Sequence, residues 1–67
     1  MTYRTTFSTL EEALTYASHV LQCASVTAYE SGDRHKGEDR DLAFSSKYLI
    51  DHARAVIDES LSGLDAR

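Results

Sequence analysis

Gly32-Asp33-Arg34-His35-Lys36-Gly37 is a polar connector bounded by glycines, and the stretches on either side of it carry the periodicity of amphipathic helices. Upstream, Leu10, Ala13, Leu14, Ala17, Val20, Leu21, Ala24 and Ala28 recur at spacings of three and four, which places them on one face of a helix. Downstream, Leu42, Ser46, Leu49, Ile50, Ala53, Val56, Ile57, Leu61 and Leu64 form a second, bulkier stripe. The pattern predicts helix 1 over about 9–31, a connector over 32–38 and helix 2 over about 39–62, in one unit spanning 9–64. Segment 1–8 reads as extended and 65–67 as a short tail. Helices of about 22 residues would each be roughly 33 Å long. Equal lengths and a short connector favour antiparallel packing, so the predicted fold class is an all-α antiparallel helical hairpin.

The helix ends carry their own signals. Ser8 followed by Glu11 has the capping-box pattern Ser-x-x-Glu, and Glu11 and Glu12 suit the positive end of a helix dipole. With Ser8 as the cap, Phe7 would face Glu12 and no hydrophobic staple forms. Gly32 is the natural residue to end helix 1 in the left-handed conformation. Asp39 and Asp41 mark the start of helix 2 and Gly63 its end, with Asp58 and Glu59 unfavourably placed near the negative terminus. The alanines of helix 1 predict close approach, with leucine and isoleucine of helix 2 packing over them.

Composition narrows the function classes. In 67 residues there is room for one small domain, and a chain of this size buries a modest share of its surface. The formal charge of −4 argues against nucleic-acid binding, which needs clustered Lys and Arg. No apolar run approaches the ~20 residues that span a membrane. The lone cysteine, Cys23, forms no internal disulfide and fits a reducing, cytoplasmic setting.

Each predicted helix also has apolar residues off its main stripe. Tyr16, His19, Cys23 and Val26 form a partial seam on helix 1, and Phe44, Tyr48 and Ala55 form another on helix 2. One reading is scattered surface residues partly covered by the N-terminal segment. The other is contact with a second chain, for which Tyr16, His19, Cys23, Val26, Phe44, Tyr48, Leu49 and Val56 are the candidate interface.

Chemistry-bearing residues do not assemble into a motif. His19 and Cys23, four apart on one face, could share a metal, but His35 and His52 are not at a spacing that completes a zinc site. Cys23 lies mid-helix without a cation beside it, so a small buried thiol is a better reading than a nucleophile. Asp51 and Asp58 read as surface partners of Arg54, worth a few tenths of a kcal/mol. Arg34, His35, Lys36 and Arg40 are offset by Asp33, Glu38, Asp39 and Asp41, which makes the connector a solvated turn rather than a phosphate loop. No catalytic, cofactor-binding or metal residue is assigned, and no enzymatic activity is expected.

The run from Leu10 through Ala13-Leu14-Thr15-Tyr16-Ala17-Ser18 to Thr27-Ala28-Tyr29-Glu30 resembles a small bacterial domain family of unknown function. The second half, Tyr48-Leu49-Ile50-Asp51-His52-Ala53-Arg54-Ala55-Val56-Ile57-Asp58, is similar to that family's Tyr-Leu-x-x-x-Ala-Lys-Ala-Val-x-Asp pattern, with Arg54 where lysine is common. The resemblance implies a free-standing two-helix unit and carries no activity, cofactor or catalytic residue with it. The expectation from the residues themselves is a hairpin that dimerises into a four-helix bundle and serves as a protein–protein interaction module. The alternative is an acidic inhibitor or antitoxin-like protein that masks a basic partner.

Overall fold

The structure, a computed structural model, describes residues 7–65; most of segment 1–8 and of tail 65–67 lies outside them. Two helices, α1 (Leu10–Arg34) and α2 (Glu38–Asp65), pack side by side along their lengths as an all-α hairpin. Two helices side by side make a layer one helix thick.

Both helices are longer than their apolar periodicity predicts, because the capping residues are not the expected ones. Thr9, not Ser8, caps α1: its backbone is extended, and its hydroxyl oxygen accepts the Glu12 N–H at 3.1 Å. The sequence contains overlapping Ser-x-x-Glu and Thr-x-x-Glu patterns. The later start lets Phe7 fold back on Tyr16, with ring centroids 5.3 Å apart. At the other end α1 runs through Gly32 to Arg34. His35 closes it, donating its backbone N–H to the Gly32 carbonyl at 3.4 Å, while its Nδ1 lies 2.6 Å from the Ser31 carbonyl. These contacts satisfy carbonyls that the helix end would leave without partners.

The two connector glycines therefore have different jobs from those expected. The left-handed position belongs to Gly37 (φ 65°), immediately before α2. Gly32 is instead buried inside α1, and the reason is the Phe44 ring: a Cβ at Gly32 would lie 2.7 Å from Phe44 Cε1. Glu38, Asp39 and Asp41 occupy the first turn of α2, where the dipole favours them. Gly63 does not end α2, which continues to Asp65.

The contact between the helices repeats every seven residues. Ser18 Oγ donates to Asp58 Oδ1 at 2.7 Å, and Arg54 Nε donates to the same serine at 3.3 Å. One heptad on, Ser25 Oγ donates to Asp51 Oδ1 at 2.6 Å, and Lys47 Nζ holds Asp51 Oδ2 at 2.6 Å. One heptad further, Gly32 receives the Phe44 ring, and the Arg40 guanidinium lies 4.8 Å from that ring's centroid. Each layer thus has a small residue on α1, its partner on α2, and a cation four residues before that partner. As the α1 numbers rise the α2 numbers fall, which makes the pairing antiparallel. Half-buried Leu14, Leu21 and Ala28 of α1 and Ala43, Ile50, Ile57 and Leu64 of α2 fill the rest of the seam. The alanine face of α1 is not its closest approach, because the buried positions are Ser18, Ser25 and Gly32.

The Lys47 ammonium, the Ser25 hydroxyl and the Arg54 charge together hold the Asp51 carboxyl below its ordinary value of 3.8, outweighing a small desolvation effect. A carboxyl whose folded pKa is depressed adds stability above its unfolded pKa and loses that contribution as pH falls through the folded value. Asp51→Asn should therefore destabilise the hairpin at pH 7, and the gap from the wild type should close as the pH is taken below 3.8. Urea unfolding of both proteins at pH 7 and pH 3 measures this; a gap that does not shrink in acid would contradict it. A second prediction concerns Gly32→Ala. Its helix-propensity gain of about 1 kcal/mol is opposed by overpacking against Phe44 of about 1–3 kcal/mol. The expected net loss is about 1 kcal/mol, and Phe44→Leu should abolish it, so that Gly32→Ala is neutral or stabilising in that background. A thermal-melt double-mutant cycle reads the coupling.

Candidate interaction surfaces

The register of the three layers gives the hairpin two unlike sides. Ser18, Ser25, Asp51 and Asp58 define one edge of the helix contact, and at ~100° per residue the charged side chains Glu11, Arg40, Lys47 and Arg54 fall on that side. The opposite edge is marked by Ala17, Ala24 and Ser31 of α1. Ser31 and His35 share a shallow depression there with Asp39, Leu42, Ala43 and Ser46 of α2, so the turn end of this side carries one acid.

This second side is uncharged for most of its length. α1 contributes Leu10, Ala13, Ala17, Val20 and Ala24, and α2 contributes Leu42, Ser46, Leu49, Ala53, Val56, Ser60 and Gly63 at alternating spacings of four and three. The two serines add little polarity. Ser46 Oγ donates to the Leu42 carbonyl and Ser60 Oγ to the Val56 carbonyl, each at 3.0 Å, so neither hydroxyl needs an outside partner. The stripe that the sequence assigns to helix 2 is accordingly split. Ile50, Ile57, Leu61 and Leu64 turn towards α1, whereas Leu42, Leu49 and Val56 remain 67%, 65% and 53% exposed. Among the described residues no hydrophobic side chain is buried.

The residues singled out from the sequence fall in three places. Tyr16, His19, Cys23 and Val26 lie together on the outer side of α1, away from α2. Phe7 leans on Tyr16, and His19, Cys23 and Val26 border a shallow groove. Cys23 is exposed, not buried as the sequence reading holds, because the hairpin contact runs along Ser18, Ser25 and Gly32 on a different face. Phe44 is taken up inside the hairpin, against Gly32, Arg40 and Tyr29, whose ring centroid is 5.9 Å away. Tyr48 points outward at 72% exposure, while Leu49 and Val56 lie on the uncharged side. Among the described residues no three of His, Cys, Asp and Glu converge to hold a metal ion, and no helix is long and apolar enough to cross a membrane.

Periodicity counted over apolar residues alone does not find the Ser18–Asp58 and Ser25–Asp51 contacts. A signal exists nonetheless. Ser18, Ser25 and Gly32 are spaced by seven, as are Phe44, Asp51 and Asp58, and Arg40, Lys47 and Arg54. Heptad spacing of small and polar residues on two consecutive helices marks the line along which they touch.

Comparison with known proteins adds a family and nothing chemical. No curated protein and no solved structure matches the chain. A family model described as a family of unknown function (DUF6124) matches residues 5–63, nearly the whole chain and both helices, and the chain belongs to that family.

Proposed function

We propose that the protein is a self-associating helical interaction module, a homodimer whose two hairpins meet through their uncharged sides to form a four-helix bundle. The observation that carries this reading is a folded hairpin without a buried hydrophobic side chain among its described residues, bearing an uncharged face on which Leu42, Leu49 and Val56 are mostly exposed. Burial of apolar area at ~25 cal/mol per Å² is the main stabilising contribution open to so small a chain, and a layer one helix thick cannot supply much of it alone. A second copy fits this face because an uncharged surface offers a charged partner nothing to pair with, and a twofold contact covers Leu42, Leu49 and Val56 of both chains at once. The lone cysteine suits a reducing, cytoplasmic setting.

Size exclusion with light scattering at micromolar concentration should give twice the 7.5 kDa chain mass. The melting temperature should rise with protein concentration, as it does when folding and association are linked. A well-folded monomer with a concentration-independent melting temperature would overturn the proposal and favour the acidic-inhibitor reading of the sequence.

A further inference from the structure

We infer that the outer side of α1, away from the proposed contact between hairpins, is a second binding surface whose partner is a basic amphipathic helix of another protein. Glu12, Tyr16, His19, Cys23, Val26 and Glu30 follow one another at spacings of four and three in strict alternation. At ~100° per residue they fall in a strip about 80° wide, on a different face from the Ser18, Ser25 and Gly32 contact line. That alternation is the line along which one helix lays its side chains against another. From Glu12 to Glu30 the strip is roughly 27 Å long.

Two depressions lie along this strip and share His19. The first is walled by the Phe7 and Tyr16 rings, whose centroids are 5.3 Å apart, and has Glu11 and Glu12 on its border. Aromatic faces beside carboxylates suit a lysine or arginine side chain: the stem packs on the rings while the charge meets their negative faces and the acids. The second, between His19, Gln22, Cys23 and Val26, has no carboxylate and suits an aliphatic side chain. Tyr16 and Val26 are 51% and 56% exposed and Cys23 is open to solvent, so among the described residues nothing fills this line.

Charge decides the sign of the partner. α1 carries Glu11, Glu12, Glu30 and Asp33 and has no lysine or arginine before Arg34, so acids bound the strip at both ends. A second copy of the chain does not supply the opposite charge. Two such strips in register set Glu12 against Glu30 when antiparallel and each acid against itself when parallel. The cations of α2 are engaged within the hairpin: Lys47 with Asp51, Arg54 with Asp58, and Arg40 over the Phe44 ring. Arg34 and Lys36 stand at the turn among Glu30, Asp33, Glu38, Asp39 and Asp41. The complementary surface therefore belongs to a different chain, one with lysine or arginine flanking a line of aliphatic residues. The strip shares no residue with Leu42, Leu49 and Val56, so this binding and self-association are separable.

A fluorescent synthetic helix of about 20 residues covers the strip. It carries leucine at alternating spacings of three and four and lysine elsewhere, and its binding to the full-length chain is followed by anisotropy. It should bind, more weakly as salt is added, and a twin with glutamate in place of lysine should not bind. Glu12→Gln with Glu30→Gln should weaken binding about five-fold, as expected for two exposed ion pairs. Glu38→Gln with Glu59→Gln makes the same charge change on α2 and should leave binding unchanged. Cys23→Arg should weaken it about ten-fold or more by setting a cation against those of the peptide. The isosteric glutamine pair carries the test even if Cys23→Arg lowers stability. Ala53→Arg, on the uncharged side, should not alter peptide binding whatever it does to the mass of the chain in solution. No binding of the lysine peptide, equal binding of its glutamate twin, or equal loss from both glutamine pairs overturns the proposal and leaves self-association standing. Binding that appears only once Tyr3 and Arg4 are replaced by alanine would give the strip to residues 1–6 of the same chain. A Cys23→Arg chain of halved mass would give it to a second copy, and either result overturns the proposal.

Discussion

The hydrogen bonds from Ser18 to Asp58 and from Ser25 to Asp51 fix which residue of α1 lies beside which residue of α2, and every other surface of the hairpin follows from that choice. A small hydroxyl on one helix and a carboxylate on the other span the gap between the backbones, and the Lys47 and Arg54 cations keep the carboxylates from being left as uncompensated charges. Partly exposed pairs of this kind contribute little net stability. Their value lies in what they forbid. A slip of one heptad would still bring Ser18 to Asp51, but it would set Ser25 against Phe44, whose ring needs the vacancy at Gly32. The third layer therefore resolves an ambiguity that two identical polar layers leave open.

Placing the polar residues between the helices has a consequence for the apolar ones. A hairpin stabilised mainly for itself would turn its largest side chains inward. Here the closest positions on α1 are two serines and a glycine, and three large aliphatic residues of α2 are left on one open side. A one-helix-thick layer can bury a side chain only at its single seam, so residues flanking that seam stay half covered whatever their type. The cost of exposing Leu42, Leu49 and Val56 is recovered only if something covers them.

The fold class was legible because spacing of three and four over two long proline-free stretches admits little but helices, and a short connector admits little but a hairpin. The helix ends were less so. Ser8 and Thr9 both satisfy a capping pattern, and the choice was settled by Phe7 reaching Tyr16. Gly32 and Gly37 both look like turn residues, yet one is required by a left-handed φ and the other by an aromatic ring whose position depends on the fold. Exposed Cys23 and enclosed Phe44 trace to one cause. Both were placed by reference to an apolar stripe, whereas the contact line runs along Ser18, Ser25 and Gly32. Polar residues count as surface in any periodicity argument, so a seam built on serine and aspartate is invisible to it until heptad spacing is considered.

That same heptad spacing ties the hairpin to the proposed bundle. α2 carries two seams one residue apart: Ala43, Ile50, Ile57 and Leu64 for its own α1, and Leu42, Leu49, Val56 and Gly63 beside them on the open side. α1 has Leu14, Leu21 and Ala28 towards α2, with Leu10, Ala17, Ala24 and Ser31 adjacent. A helix in an isolated pair needs one such line, whereas a helix in a four-helix bundle needs two, separated by the angle between its two neighbours. The open line is also smaller in volume than the covered one, rich in alanine, serine and glycine. Small residues expose little apolar area in the free chain yet permit close packing when a partner arrives. In the proposed bundle, a surface of that composition supports contact with a second copy rather than with a charged partner.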